Sequence, residues 1–127
     1  MSLQDQVKVH NETGGSTFTM DSRHNLAGVA FFSVVINSRL TKEVKGAIIS
    51  DDDLIEVQHN WLTDKTPVPK YYFSIPALGT WYDTDTDTSY IEVASLFGDL
   101  NAAFKAGRAN GQKAIYDLLV GEVIFID

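Results

Sequence analysis

From residue 29 to residue 40 the chain reads Val-Ala-Phe-Phe-Ser-Val-Val-Ile-Asn-Ser-Arg-Leu. The even positions Ala30, Phe32, Val34, Ile36 and Leu40 are apolar, while Ser33, Asn37 and Arg39 interrupt the odd ones. That alternation predicts an interior strand with one fully buried face. A shorter strand is expected at residues 16–20, joined to it through Ser22-Arg23-His24-Asn25, whose side chains favour a turn. At Ser50 the period changes. A serine hydroxyl followed by Asp51, Asp52 and Asp53 can accept an orphan amide hydrogen and set carboxylates against the positive helix end. Leu54, Val57 and Trp61 then recur at helical spacing, with Ile55 and Leu62 widening the stripe, so one amphipathic helix is predicted over 51–63.

From residue 71 the pattern returns to strands: Tyr71 to Ile75, Ala77 to Tyr82, and Tyr90 to Phe97. The polar run 83–89 between the last two predicts a hairpin tip. Asp99 is a good N-cap, Leu100, Ala103, Phe104 and Gly107 fall on one helical face, and Asn110-Gly111 can supply a left-handed C-cap. Strands around Gly121 follow, Ala114 to Leu119 and Glu122 to Ile126, so residues 90–118 make a right-handed strand–helix–strand crossover. Two amphipathic helices need a sheet to cover, which predicts a single α+β domain over 1–127. Its sheet is mixed and mostly antiparallel, with about five to seven strands.

Composition narrows the function. The 127 residues carry 10 Lys and Arg against 17 Asp and Glu, a net charge of −7. That balance argues against nucleic-acid binding, which runs on surplus cations, and the offsetting cations make the excess mild for an acidic DNA mimic. The chain has no cysteine, which excludes thiolate catalysis and cysteine-ligated metals and fits a reducing compartment. Apolar runs are too short for a membrane span, and the first residues lack the basic and apolar regions of a signal peptide. A cytoplasmic protein without membrane contact is expected.

The candidate chemistry is sparse. Asp83, Asp85 and Asp87 share the alternate spacing of a calcium loop, but Thr88 and Ala94 stand where glycine and glutamate belong. His10, His24 and His59 lack any paired metal-ligand spacing, so neither metal nor cofactor is expected. His24 lies in a loop beside Arg23, and His59 on the first predicted helix. No Gly-x-Ser-x-Gly elbow occurs. Gly14, Gly15, Ser16 and Thr17 could curl backbone amides around an anion, although the lysine of a phosphate-binding loop does not follow. Trp81 offers a flat face and Arg108 five fixed donors, so these six residues are the candidate binding site. Arg108 also suits the negative end of the second helix. The apolar terminal run Val123-Ile124-Phe125-Ile126 predicts an exposed edge strand and a homodimer.

Gly14-Gly15-Ser16-Thr17, Leu78-Gly79-Thr80-Trp81-Tyr82, Tyr90-Ile91-Glu92-Val93 and the run from Gly107 to Leu118 resemble short, largely uncharacterised proteins of phages and other mobile elements. Glu92 departs from the aspartate expected there. The resemblance implies a viral or plasmid accessory protein and attaches no catalytic mechanism to it. The function expected is therefore non-enzymatic binding, with counter-defence action on a host protein or signal. The alternative is a small-ligand or nucleotide-binding protein, or a small hydrolase, using the Gly-Gly-Ser-Thr run.

Overall fold

A computed structural model describes residues 3–36, 38–64 and 75–126. In chain order the elements are α1 (Leu3–Thr13), β1 (Gly15–Thr19), β2 (Phe32–Val35), a 3-10 turn (Ser38–Leu40), β3 (Lys42–Lys45), α2 (Asp51–Thr63), β4 (Ile75–Asp83), β5 (Thr88–Phe97), α3 (Leu100–Ala109), β6 (Ala114–Asp117) and β7 (Glu122–Phe125). The seven strands form one sheet in the order β1-β4-β5-β2-β6-β7, with β3 also on β5. Every pairing among the described residues is antiparallel. This is the expected α+β class, with a seven-stranded sheet.

Antiparallel partners in register share a face, and alternate residues point to opposite faces. One face therefore carries Ser16, Thr80 and Ile91, then Phe18, Leu78 and Val93, then Val34. All three helices pack on it. Leu54 and Val57 of α2 meet Leu78, Ile91 and Val93, and Ala103 and Ala106 of α3 meet Val34 and Ile115. On the opposite face Leu26, Val29 and Phe31 cover Ala77 and Leu96.

The helix at 51–63 forms as expected. Ser50 accepts from the Asp53 amide while Asp53 reaches back to the Ser50 backbone, closing a capping box. Ile55 and Leu62 stay exposed, so the buried stripe is narrower than the pattern suggested. Asp99 caps α3, and Gly111 follows its end at φ 67°. The hairpin of β4 and β5 turns at the polar tip. Because β2 is antiparallel to both β5 and β6, those two are parallel with β2 between them, and α3 connects them.

Three features depart from expectation. A third helix, α1, precedes β1. The strand expected over 29–40 shrinks to Phe32–Val35: the chain turns at Gly28 (φ 80°), the Phe31 amide bonds back to Val29, and Ser38–Leu40 coils into the 3-10 turn. Ala30 is consequently exposed. The sheet is antiparallel at every described ladder rather than mixed. Of the strand expected at 71–75, residues 71–74 lie outside the described residues.

Candidate functional site

Two polar groupings stand out, one buried beneath α1 and one on the opposite face. The buried one is built on Gln6 and His10, which α1 turns onto the sheet together with Leu3 and Val7; Gln6 and His10 are both fully buried. The Ser89 hydroxyl donates to the Gly46 carbonyl at 2.7 Å, so its single hydrogen is spent and it accepts from His10 Nε2 at 3.1 Å. Nδ1 of the neutral ring then accepts from the Thr80 hydroxyl at 2.7 Å. Thr80 in turn accepts from Ser16 at 2.5 Å, and Ser16 accepts from Gln6 Nε2 at 3.2 Å. Arg23 Nη2 donates to Gln6 Oε1 at 2.6 Å. One directed chain of hydrogen bonds thus runs from Arg23 to the Gly46 carbonyl. Burial holds the His10 pKa below its ordinary value, against the weaker upward pull of the Ala47 carbonyl. Arg23 adopts a left-handed backbone (φ 57°) with its guanidinium 5.7 Å from the Phe18 ring centroid; among the described residues its Nε and Nη1 have no hydrogen-bond partner.

The second grouping lies on the face away from the helices. Trp81 stacks on Tyr90 directly across the β4–β5 ladder, with centroids 4.7 Å apart and planes 18° apart. Its other in-register neighbour is Gly15 of β1, which has no side chain to cover the second face of the indole. Trp81 remains 45% exposed. The indole N–H donates to Glu92, which sits beside Gly79 in the ladder. Glu92 lies where the sheet forks: β3 pairs β5 up to Ile91, and β2 takes over at Ala94. Burial raises the Glu92 pKa, opposed by the bond from Trp81. The arrangement presents a flat aromatic face, a carboxylate acceptor, and a floor of Thr17 and Gly79.

The six residues expected to form a site separate accordingly. Gly14 (φ 84°) turns α1 into β1, but Gly15, Ser16 and Thr17 are strand residues paired with Trp81, Thr80 and Gly79. Their backbone is committed to a ladder and does not curl around an anion. Ser16 belongs to the buried chain, whereas Gly15, Thr17 and Trp81 share the helix-free face. Arg108 lies apart on α3, its guanidinium 5.5 Å from the Phe104 ring centroid, beside a shallow cleft lined also by Asp99, Asn101, Ala102 and Lys105.

At the hairpin tip, Asp83 accepts from the Asp85 amide and the Thr86 hydroxyl, and Asp87 accepts from the Tyr82 hydroxyl. These aspartates act as turn formers, and among the described residues no cluster of three or more metal-binding side chains exists. No described helix is long and apolar enough to cross a membrane.

No family model, curated protein or solved structure matches this chain. The site is therefore read from its own chemistry. Sequence reasoning missed Gln6, His10, Thr80, Ser89 and Glu92. The signal available for the first two was their spacing with Leu3 and Val7, four residues on one face of a helix of which two are polar.

Proposed function

We propose that the chain is a non-enzymatic binding protein, an accessory factor of a phage or other mobile element that engages a host protein or host signal in the cytoplasm. Its contact surface is the helix-free face around Trp81, Tyr90 and Glu92. The observation that supports this reading is the half-exposed indole, backed by Tyr90 on one side and left open beside Gly15 on the other. Fixed aromatic faces with a polar handle are the usual anchors of interfaces. Non-enzymatic action is supported by the state of His10: a general base must reach its substrate, and both ring nitrogens here are buried and bonded to hydroxyls. Membership among mobile-element proteins rests on the motif resemblance.

A second reading, a small-ligand protein, is favoured by Gly15 and Gly79 flanking the indole, which leave room for a ring to lie flat against it. That reading transfers the ligand from the Gly-Gly-Ser-Thr run to the sheet face. The test is affinity capture from host extract in parallel with titration of nucleotides and sugar phosphates followed by tryptophan fluorescence. Trp81→Ala is expected to weaken capture by at least about 30-fold, the effect of removing an interface anchor of about 2 kcal/mol, and Arg108→Ala to leave it unchanged. Saturable quenching by a small molecule, lost in Trp81→Ala, would favour the second reading. Capture that survives Trp81→Ala would overturn the proposed surface.

A further inference from the structure

Among the described residues the sheet has outer edges at β1, β3 and β7, and the chain treats them differently; β3 carries Lys42 and Lys45, a usual edge protection. Along β1 the Leu26 amide bonds to the Thr17 carbonyl at 2.9 Å and the Thr19 amide to the His24 carbonyl at 3.0 Å. The segment 24–26 therefore caps that edge. At the other end β7 pairs only with β6 among the described residues, and it carries none of the usual edge protection: no lysine, no proline, no inward charge.

The phase of the β6–β7 ladder shows which groups stay open. The Ile126 amide bonds to the Lys113 carbonyl, so residues 113 and 126 are a hydrogen-bonded pair. Alternation along an antiparallel ladder makes Ile115 and Ile124, then Asp117 and Glu122, the next such pairs. The bond from the Leu118 amide to the Phe31 carbonyl gives β6 the same phase from its other side. Hence the amide and carbonyl groups of Val123 and Phe125 point away from the sheet. The same two side chains are 53% and 75% exposed, next to exposed Leu119 and Val120 at the turn.

We propose that β7 is the interface of a homodimer, pairing antiparallel with β7 of a second copy about a two-fold axis through Ile124. The argument for a second copy is that this edge complements itself. Its two outward residues lie two positions apart, so Val123 of each copy forms a hydrogen-bonded pair with Phe125 of the other, giving four backbone bonds. On the helix-free face the same pairing sets Val123 against Phe125 twice. Glu122 falls opposite Ile126, so no charge opposes a like charge. Ile124 faces its own equivalent in a non-hydrogen-bonded pair, where side chains approach most closely. The two sheets become one. A closed two-fold interface also uses the β7 edge of both copies and leaves neither β7 open for further growth.

The chain has no cysteine, which makes a clean test available. Sedimentation equilibrium from 5 to roughly 500 µM is expected to show the wild type moving from 14.1 kDa towards twice that mass, within the concentration range suited to a small interface. Val123→Pro removes an outward amide and no amide of the β6–β7 ladder, and Phe125→Lys places a charge on the edge. Both are expected to be monomers with wild-type circular dichroism. Ile124→Cys should cross-link to its equivalent under mild oxidation, whereas Glu122→Cys should not. A wild type that stays monomeric throughout, or a dimer that persists in both folded variants, would overturn the proposal; preferential cross-linking through residue 122 would overturn the register.

Discussion

His10 Nε2 donates to the Ser89 hydroxyl across 3.1 Å, a bond that ties α1 to β5 through a fully buried pair. Because Ser89 spends its own hydrogen on Gly46, this contact determines the tautomer of the ring. Protonating Nδ1 would force Thr80, and then Ser16, to reverse.

Stability should consequently depend on pH through His10. Its folded pKa lies below the ordinary 6.5, so above that value both folded and unfolded chains hold a neutral ring and the contribution is complete. As pH falls through 6.5 the unfolded chain takes up a proton that the folded chain refuses, and stability declines. Urea unfolding from pH 8 to 5 should show this decline in the wild type and its loss in His10→Gln; parallel profiles would contradict it. His10→Ala, which leaves Thr80 and Ser89 short of a buried partner, should cost about 2–4 kcal/mol.

Asp53 combines two roles, closing the cap of α2 and pairing with Lys42 at 2.9 Å. Burial pushes its pKa up, but the bonds from Lys42 and Ser50 outweigh it and hold the carboxyl below the ordinary value. Its stabilisation is therefore present at neutral pH and fades as pH falls through the carboxylate range. Asp53→Ala should cost about 1–2 kcal/mol at pH 7, measured by thermal unfolding, and the difference from wild type should shrink in acid. A constant difference down to pH 3 would show that the charge plays no part.

Glu92 carries the opposite sign. Burial raises its folded pKa despite the bond from Trp81, so the ionised form is disfavoured in the folded chain and stability falls as pH rises through that pKa. Glu92→Gln keeps an acceptor for the indole and removes the charge. It should melt higher than wild type at pH 7 and at the same temperature below about pH 4, where the wild-type carboxyl is protonated in the unfolded chain too. Equal melting temperatures at pH 7 would mean the carboxylate is well solvated.

Trp81→Ala removes the stacking partner of Tyr90 and the donor to Glu92, and about 1–2 kcal/mol of stability should go with them. Circular dichroism should remain that of the wild type, because the residue lies on the surface. Loss of the folded spectrum would make Trp81 a core residue and remove it from the binding face.

The parts of this fold that local chemistry specifies were legible in the sequence. Ser50 with Asp53, Asp99 with Gly111, and the polar tip between β4 and β5 each announce themselves within a few residues. The first helix did not, because its buried face joins Leu3 and Val7 to Gln6 and His10, and an apolar-period reading discounts polar positions whose partners lie on distant strands. Strand order was hidden for the same reason: β1 finds β4 across about half the chain. Trp81 was recognisable as an anchor by type, but its neighbours Gly15 and Glu92 became so only through register. Arg108 stands in the last turn of α3 as its sequence context implied, but α3 packs on the sheet face opposite Trp81, a relation that strand register alone decides.

One strand bears most of the pairing. β5 is matched to β4 over Thr88–Leu96, while its other edge is divided between β3 and β2. The hairpin it makes with β4 is the longer of the sheet's two tight hairpins, whereas β1, β2 and β3 reach it or its partner only by closing long loops, whose entropy is lost before any contact repays it. Folding should therefore start at that hairpin, and the amides of β5 should be the last to exchange with solvent. A substitution that delays the turn at Asp83–Asp87 would slow the assembly of the entire molecule, including edges that never touch it.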